Sequence, residues 1–167
     1  MSLPQFLFTL GFAAVFLAIV AFTAVVVRSA RFYDGGDFPT GSMLLRLARP
    51  GRERAELQRW AFYLHRITGV GVLGFLCLHV IDVSLFVWDP IVYDDVHGLY
   101  GTAMMRVIEV GLLFGLLFHT FNGLRLVVVD VRDLGLTAST RLLHGVLTAT
   151  VVLGVVGSYY IMKPVFA

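Results

Sequence analysis

Four apolar stretches, at about residues 3–27, 60–88, 103–128 and 142–162, each run for the roughly 20 residues that a helix needs to cross a hydrocarbon core. No other feature constrains the fold as tightly, because backbone amides inside lipid must be satisfied within the chain, and an isolated span does this only as a helix. The expectation is an all-α integral membrane protein with four transmembrane helices. Composition agrees: with 58% hydrophobic and 14% charged residues and a mean hydropathy of +0.85, the chain has too few polar side chains to coat a water-soluble core. The first stretch opens MSLPQFLF without a positive charge, and Arg28 and Arg31 follow its apolar run. It therefore reads as a retained helix rather than a cleaved leader.

The basic residues are twelve arginines and Lys163, and their placement says more than the net charge of +2. Arg28, Arg31, Arg46, Arg49, Arg52, Arg54 and Arg59 crowd the 28–59 segment, whereas the 89–101 segment, read as a loop, holds Asp89, Asp94 and Asp95 and no positive residue. Short arginine-rich segments stay cytoplasmic. The 28–59 segment and the 129–141 connection, with Arg132 and Arg141, are thus expected inside, and both termini outside. Arginines spent on topology give no reason to expect a nucleic-acid partner. Gly and Pro punctuate residues 34–58, which read as a loop with one interfacial helical turn around Met43 to Ala48. The resulting division is an extra N-terminal helix (1–29), an Arg-rich cytoplasmic loop (30–56) and a three-helix domain (57–167). Cys77 has no second thiol, which excludes a disulfide and a cysteine-ligated zinc or iron–sulfur site.

Ionisable side chains within membrane spans are costly and mark functional candidates. The second span carries His65, Arg66, His79 and Asp82; the third carries Arg106, Glu109, His119 and Arg125. His65 and His79 share a helical stripe, within roughly 40° of one another and about 21 Å apart along the axis. Around His119, Gly111, Gly115 and Gly123 form a smooth stripe at i−8, i−4 and i+4, on which a flat macrocycle with an iron ligated by the imidazole could lie. Close helix packing is the competing explanation for the same stripe. If Arg66 and Arg125 mark one boundary, His119 lies about 9 Å below it and His79 about 20 Å below it, too far apart to share an iron. No other histidine in the chain is then at a suitable depth, so a second membrane subunit is expected to supply the opposite ligand.

The string HRITG (His65 to Gly69), followed on the next span by FHTFNGLRLVVVD (Phe118 to Asp130), resembles the cytochrome b subunit of succinate dehydrogenase, with its H-R-x-[ST]-G and H-x-x-x-G-[IL]-R…D elements. The likeness covers about residues 57–163, the three-helix core of that family. It implies a membrane anchor in a bacterial-type inner membrane, holding a flavoprotein and an iron–sulfur subunit on the cytoplasmic face. With a second small anchor subunit it would bind one haem b or two and pass electrons from succinate to a quinone. By the same likeness His119 is an axial haem ligand and His65 and Arg125 lie at a propionate, Arg125 alternatively in a structural role. Arg66 lines the quinone site beside position 62, where Phe62 stands in place of a serine common in one-haem members. His79 matches the ligand of a second haem in two-haem members. A fumarate reductase anchor, running the reaction in reverse, shares all of these parts. A cofactor-free scaffold or transporter subunit is the reading from a different class.

Overall fold

The computed structural model describes residues 2–33 and 53–166. Among them are five α-helices and no strand: α1 (Leu3–Tyr33), α2 (Glu53–Trp88), α3 (Pro90–His97), α4 (Ala103–Arg132) and α5 (Leu136–Phe166), with a single 3-10 turn at Gly98–Gly101. The four long helices α1, α2, α4 and α5 are each apolar and long enough to cross a membrane. At 30 residues α4 extends about 45 Å, beyond the roughly 30 Å of a hydrocarbon core, so helix continues into the polar interface.

That continuation corrects several expected boundaries. Hydropathy falls where lipid ends, but hydrogen bonding along the helix persists through the interface, where arginine stems lie along apolar surface with their heads in water. Helix α2 therefore starts at Glu53 instead of 60, and the expected domain boundary at 57 falls inside it. Likewise α1 runs to Tyr33, past the boundary at 29. The 129–141 connection contracts to residues 133–135: α4 ends on Asp133 in the left-handed region (φ 46°, ψ 52°), whose amide returns to Val129 O. The expected turn at Met43 to Ala48 lies outside the described residues. At the other end, the 89–101 segment is a helix where a loop was expected. Asp89 accepts from the amides of Ile91 and Val92 at 3.1 and 3.2 Å, and Pro90 occupies the first helical position, a strong start signal.

The bundle is apolar outside and polar within. Leu17, Phe86, Val131 and Val155 are among many large apolar side chains on its surface, whereas Asp82, Asn122, Arg125, Ser139, Thr140 and Thr150 are buried. Lipid offers no hydrophobic drive for helices to associate, so close packing and interhelical hydrogen bonds hold them together. Helix α4 packs against both α2 and α5. Glycines on α5 let α4 approach: a Cβ on Gly154 would stand 2.3 Å from the Phe114 ring, and one on Gly157 2.5 Å from Leu113. At the arginine-rich end Ala61, Phe118, Leu143 and Val146 close a small core between α2, α4 and α5. Helix α1 lies on α2, Val15 seated against Gly74, and its first turn is tied to α3. There Gln5 Nε2 donates to the main-chain oxygen and Oδ1 of Asp95 at 2.9 and 3.1 Å, and the Ser2 hydroxyl bonds the same carboxylate.

Candidate functional site

The structure brings His65 of α2 and His119 of α4 face to face, ring centroids 4.1 Å apart and planes parallel within 2°. His119 Nδ1 lies 3.1 Å from the main-chain oxygen of His65. A carbonyl only accepts, so Nδ1 carries the proton, and the lone pair of the neutral ring is on Nε2, which has no hydrogen-bond partner among the described residues. This is the tautomer and the outer support that metal-bound imidazoles ordinarily have. His65 Nδ1 is buried and without a partner. The residues at His119 therefore fit an axial ligand: one ring nitrogen anchored, the other free, on a half-buried side chain.

Two expectations about this site change. Helix α2 covers the glycine stripe of α4 on both sides of the histidine but not at its far end: Gly115 faces the Thr68 methyl, Gly123 faces His65 Cε1 at 3.5 Å, and the His119 ring between them rests on Gly69, whereas Gly111 is exposed. From Gly115 to Gly123 the stripe is a helix-packing surface, the competing explanation for it, and any macrocycle must approach the ring from its open edge. Depth changes as well. Arg125 of α4 reaches Gln58 of α2, so Gln58, eight residues before Arg66, is what stands level with Arg125. Arg66 is then about 12 Å further along the bundle, and the assumption that the two arginines share a boundary fails. His65 consequently stands level with His119. The two rings are stacked face to face, and imidazole lone pairs lie in the ring plane, so this pairing does not present both nitrogens to one iron between them.

Arg125 is 6% exposed and wholly engaged inside the bundle. Its Nε donates to Ser139 O at 3.2 Å, Nη1 to Asn122 Oδ1 at 2.8 Å, and Nη2 to Ser139 Oγ at 2.8 Å and to Gln58 Oε1. Gln58 Nε2 continues the network to Ser139 Oγ and Thr140 Oγ1 at 3.2 and 3.3 Å. Of the two roles expected for Arg125, the geometry supports the structural one: it clamps α2, α4 and α5 together with no carboxylate among its partners. Gln58, Asn122 and Ser139 went unread in the sequence. A signal existed for Asn122 alone, three residues from both His119 and Arg125 and so on their side of α4.

The remaining candidates sit elsewhere. Arg66 and Phe62 are both exposed on α2, one turn apart, the guanidinium 5.1 Å from the ring centroid. His79 is exposed nearer the opposite end, stacked on Phe75 at 5.5 Å. One turn beyond it Asp82 is buried with Oδ1 unpartnered, facing Tyr100 from the 3-10 turn. Burial, then the charge of Asp82 and a hydrogen bond to it, push the Tyr100 phenol up to about 12. Gly111 and Gly115 border an apolar crevice of about 340 Å³ walled by Phe12, Val15 and Ile19 of α1 and by Ile67 and Val72 of α2.

Comparison with known proteins adds an independent line. Over 93 residues, 54% of this chain and 68% of the relative, the sequence is 33% identical to the succinate dehydrogenase 2 membrane subunit SdhC of Mycobacterium tuberculosis. It is 35% identical over 103 residues, 60% of this chain and 78% of the relative, to the succinate dehydrogenase hydrophobic membrane anchor subunit of Halobacterium salinarum. The matching family profile, described as succinate dehydrogenase/fumarate reductase transmembrane subunit, spans residues 47–157 and so takes in α2, α4, both histidines of the stacked pair and the Arg125 clamp. The chain belongs to the succinate dehydrogenase/fumarate reductase transmembrane subunit family.

Proposed function

We propose that this chain is the haem-binding membrane anchor of a succinate:quinone oxidoreductase, with His119 as an axial ligand. The observation that carries the reading is the bond from His119 Nδ1–H to the His65 carbonyl, which holds the ring and leaves Nε2 for a metal. When bound, the haem supplies a one-electron store within the membrane. The opposite ligand comes from a second small membrane subunit, because His65 is stacked on His119 and His79 lies about 21 Å from His65 along α2. In this reading His65 donates to a haem carboxylate from Nε2, its Nδ1 being buried inside the bundle.

Electrons arrive from flavoprotein and iron–sulfur subunits docked at the arginine-rich, cytoplasmic side and leave on a quinone. Arg66 is the donor to the quinone oxygen, its hydrogen bond strengthening as negative charge develops on reduction. Phe62 offers an apolar face beside it, in place of a hydroxyl. Both side chains are exposed in the single chain, so the iron–sulfur and second anchor subunits complete the pocket around them.

Replacing His119 by alanine in the purified complex removes the low-spin bis-histidine spectrum; an unchanged spectrum refutes the assignment. A haem count by pyridine haemochrome fixes the role of His79. One haem per complex leaves it a packing residue on Phe75, and two make it the ligand of the second. Turnover measured in both directions with a defined quinone separates this reading from a quinol:fumarate reductase anchor. The covering of Gly115 and Gly123 by α2 favours the one remaining alternative, a cofactor-free scaffold or transporter subunit, and a complex that is active without a Soret band would establish it.

A further inference from the structure

Residue 69 closes the HRITG string, and its lack of a side chain has a specific consequence. A Cβ built there would stand 2.8 Å from His119 Cε1, 3.3 Å from Nδ1 and 3.7 Å from Nε2, so one edge of the ring, from nitrogen to nitrogen, lies on this stretch of α2 backbone. A contact of 2.8 Å is shorter than real Cβ atoms show. The atom met is in a rigid ring whose other nitrogen is to be bound, and not the free end of a flexible side chain. Gly69 also stands four residues after His65, so its own amide shares the His65 carbonyl with His119 Nδ1. Thr68 Oγ1, which donates to Leu64 O at 2.8 Å, also lies 3.1 Å from that same oxygen. The carbonyl and the missing side chain thus belong to one helical turn: the first fixes the proton on Nδ1, the second admits the ring close enough to reach it.

We infer that Gly69 is a positioning residue for His119, setting the distance of the imidazole from α2 and through it the placement of Nε2. The inference rests on the reading of His119 as a haem ligand and adds a residue that does not itself touch the iron. The functional content of the H-R-x-T-G string is then partly main chain: the oxygen of His65 and the empty space at Gly69 cradle the ring from the neighbouring helix.

The test is Gly69→Ala in the assembled complex, with Gly71→Ala as its control. Both substitutions gain the same helical preference for alanine. Only the first meets an atom, because a Cβ at Gly71 finds nothing within 4 Å. Gly69→Ala is expected to shift the low-spin haem spectrum and to weaken haem retention by roughly tenfold or more, on the scale of lost outer-shell support, while Gly71→Ala leaves both unchanged. If the two variants behave alike in a complex that holds haem, the inference fails and the ligand assignment stands. If the native complex holds no haem, the assignment itself fails. Should Gly69→Ala reduce assembly, the amount of complex in the membrane is compared in a His119→Ala background. A lesion that acts through the ring vanishes there, so the double variant assembles as well as His119→Ala alone. An equal further loss in that background overturns the proposal.

Discussion

Removing the guanidinium of Arg125 gives the most direct test of what holds this bundle together. Arg125→Met keeps a long apolar stem and deletes the charge. Four hydrogen bonds are lost, three of them crossing between helices. Ser139 Oγ retains Gln58 Nε2, but Gln58 Oε1 and Asn122 Oδ1 lose their donors, and Asn122 is 1% exposed with Nδ2 already unpartnered. Orphaned buried acceptors cost about 1–3 kcal/mol each in water-soluble proteins. Interhelical hydrogen bonds within membranes average only about 0.6 kcal/mol, because the separated helices also find partners. Against these losses stands relief from burying a cation with no anion beside it, itself worth several kcal/mol before its hydrogen bonds are counted. The lower values therefore govern, and a net loss of about 2 kcal/mol is expected, roughly thirty-fold in the unfolding equilibrium. Arg125→Lys should recover less than half, since an ammonium cannot reach Gln58, Asn122 and Ser139 in one fork. Adding Asn122→Leu to Arg125→Met should recover part by removing a stranded amide. Equilibrium unfolding in mixed detergent micelles reads all three. An Arg125→Met protein as stable as the native one would show that the network is merely tolerated and that packing alone joins the helices.

Three further outcomes follow from other contacts. Tyr100 is held protonated to about 12, so its contribution to stability is complete below pH 10 and is lost as pH rises through about 12; an alkaline difference titration against Tyr100→Phe that finds the phenol ionising near 10 refutes this. Asp95→Ala strands the Ser2 and Gln5 side chains, and amide exchange in the first two turns of α1 should quicken by about tenfold; no change would mean that the clasp to α3 does not hold the helix end. Gly154→Ala should destabilise by about 1–3 kcal/mol through collision with the Phe114 ring, whereas Gly145→Ala on the same helix, where a Cβ meets nothing within 4 Å, should not; equal effects would rule out ring contact as the cause.

The four spans were legible because apolar length is a one-dimensional property, and the histidine pair was legible as residue types for the same reason. What the sequence concealed depends on two helices at once. The stripe of Gly111, Gly115 and Gly123 has the same period whether it accepts a macrocycle or a neighbouring helix, and only the presence of Thr68 opposite Gly115 and of His65 opposite Gly123 decides for the helix at those two positions. Arg125 likewise gives no sign in isolation that a glutamine on another helix and a serine beyond a three-residue turn will meet all sides of it. Helix α3, in contrast, was readable and went unread: an aspartate followed by proline is a start signal even where hydropathy is low.

Depth was hidden for a geometric reason with a functional consequence. Two antiparallel helices can slide past one another without changing either sequence, so aligning them on Arg66 and Arg125 fixes an offset that nothing in the residues supports. The contact of Gln58 with Arg125 sets the true offset and carries Arg66 about 12 Å toward the bilayer centre from that level. There it is exposed from the bundle, as is Phe62 one turn away. An arginine bare to hydrocarbon costs about 2.5–3.5 kcal/mol even on insertion scales that allow for snorkelling. An α2 face that bears Arg66 at this depth is therefore a face for protein or a polar cavity and not for lipid. The same offset puts the stacked His65 and His119 at the depth of that face, so under the proposed function a partner's haem ligand and the quinone would both have to reach the bundle at this level.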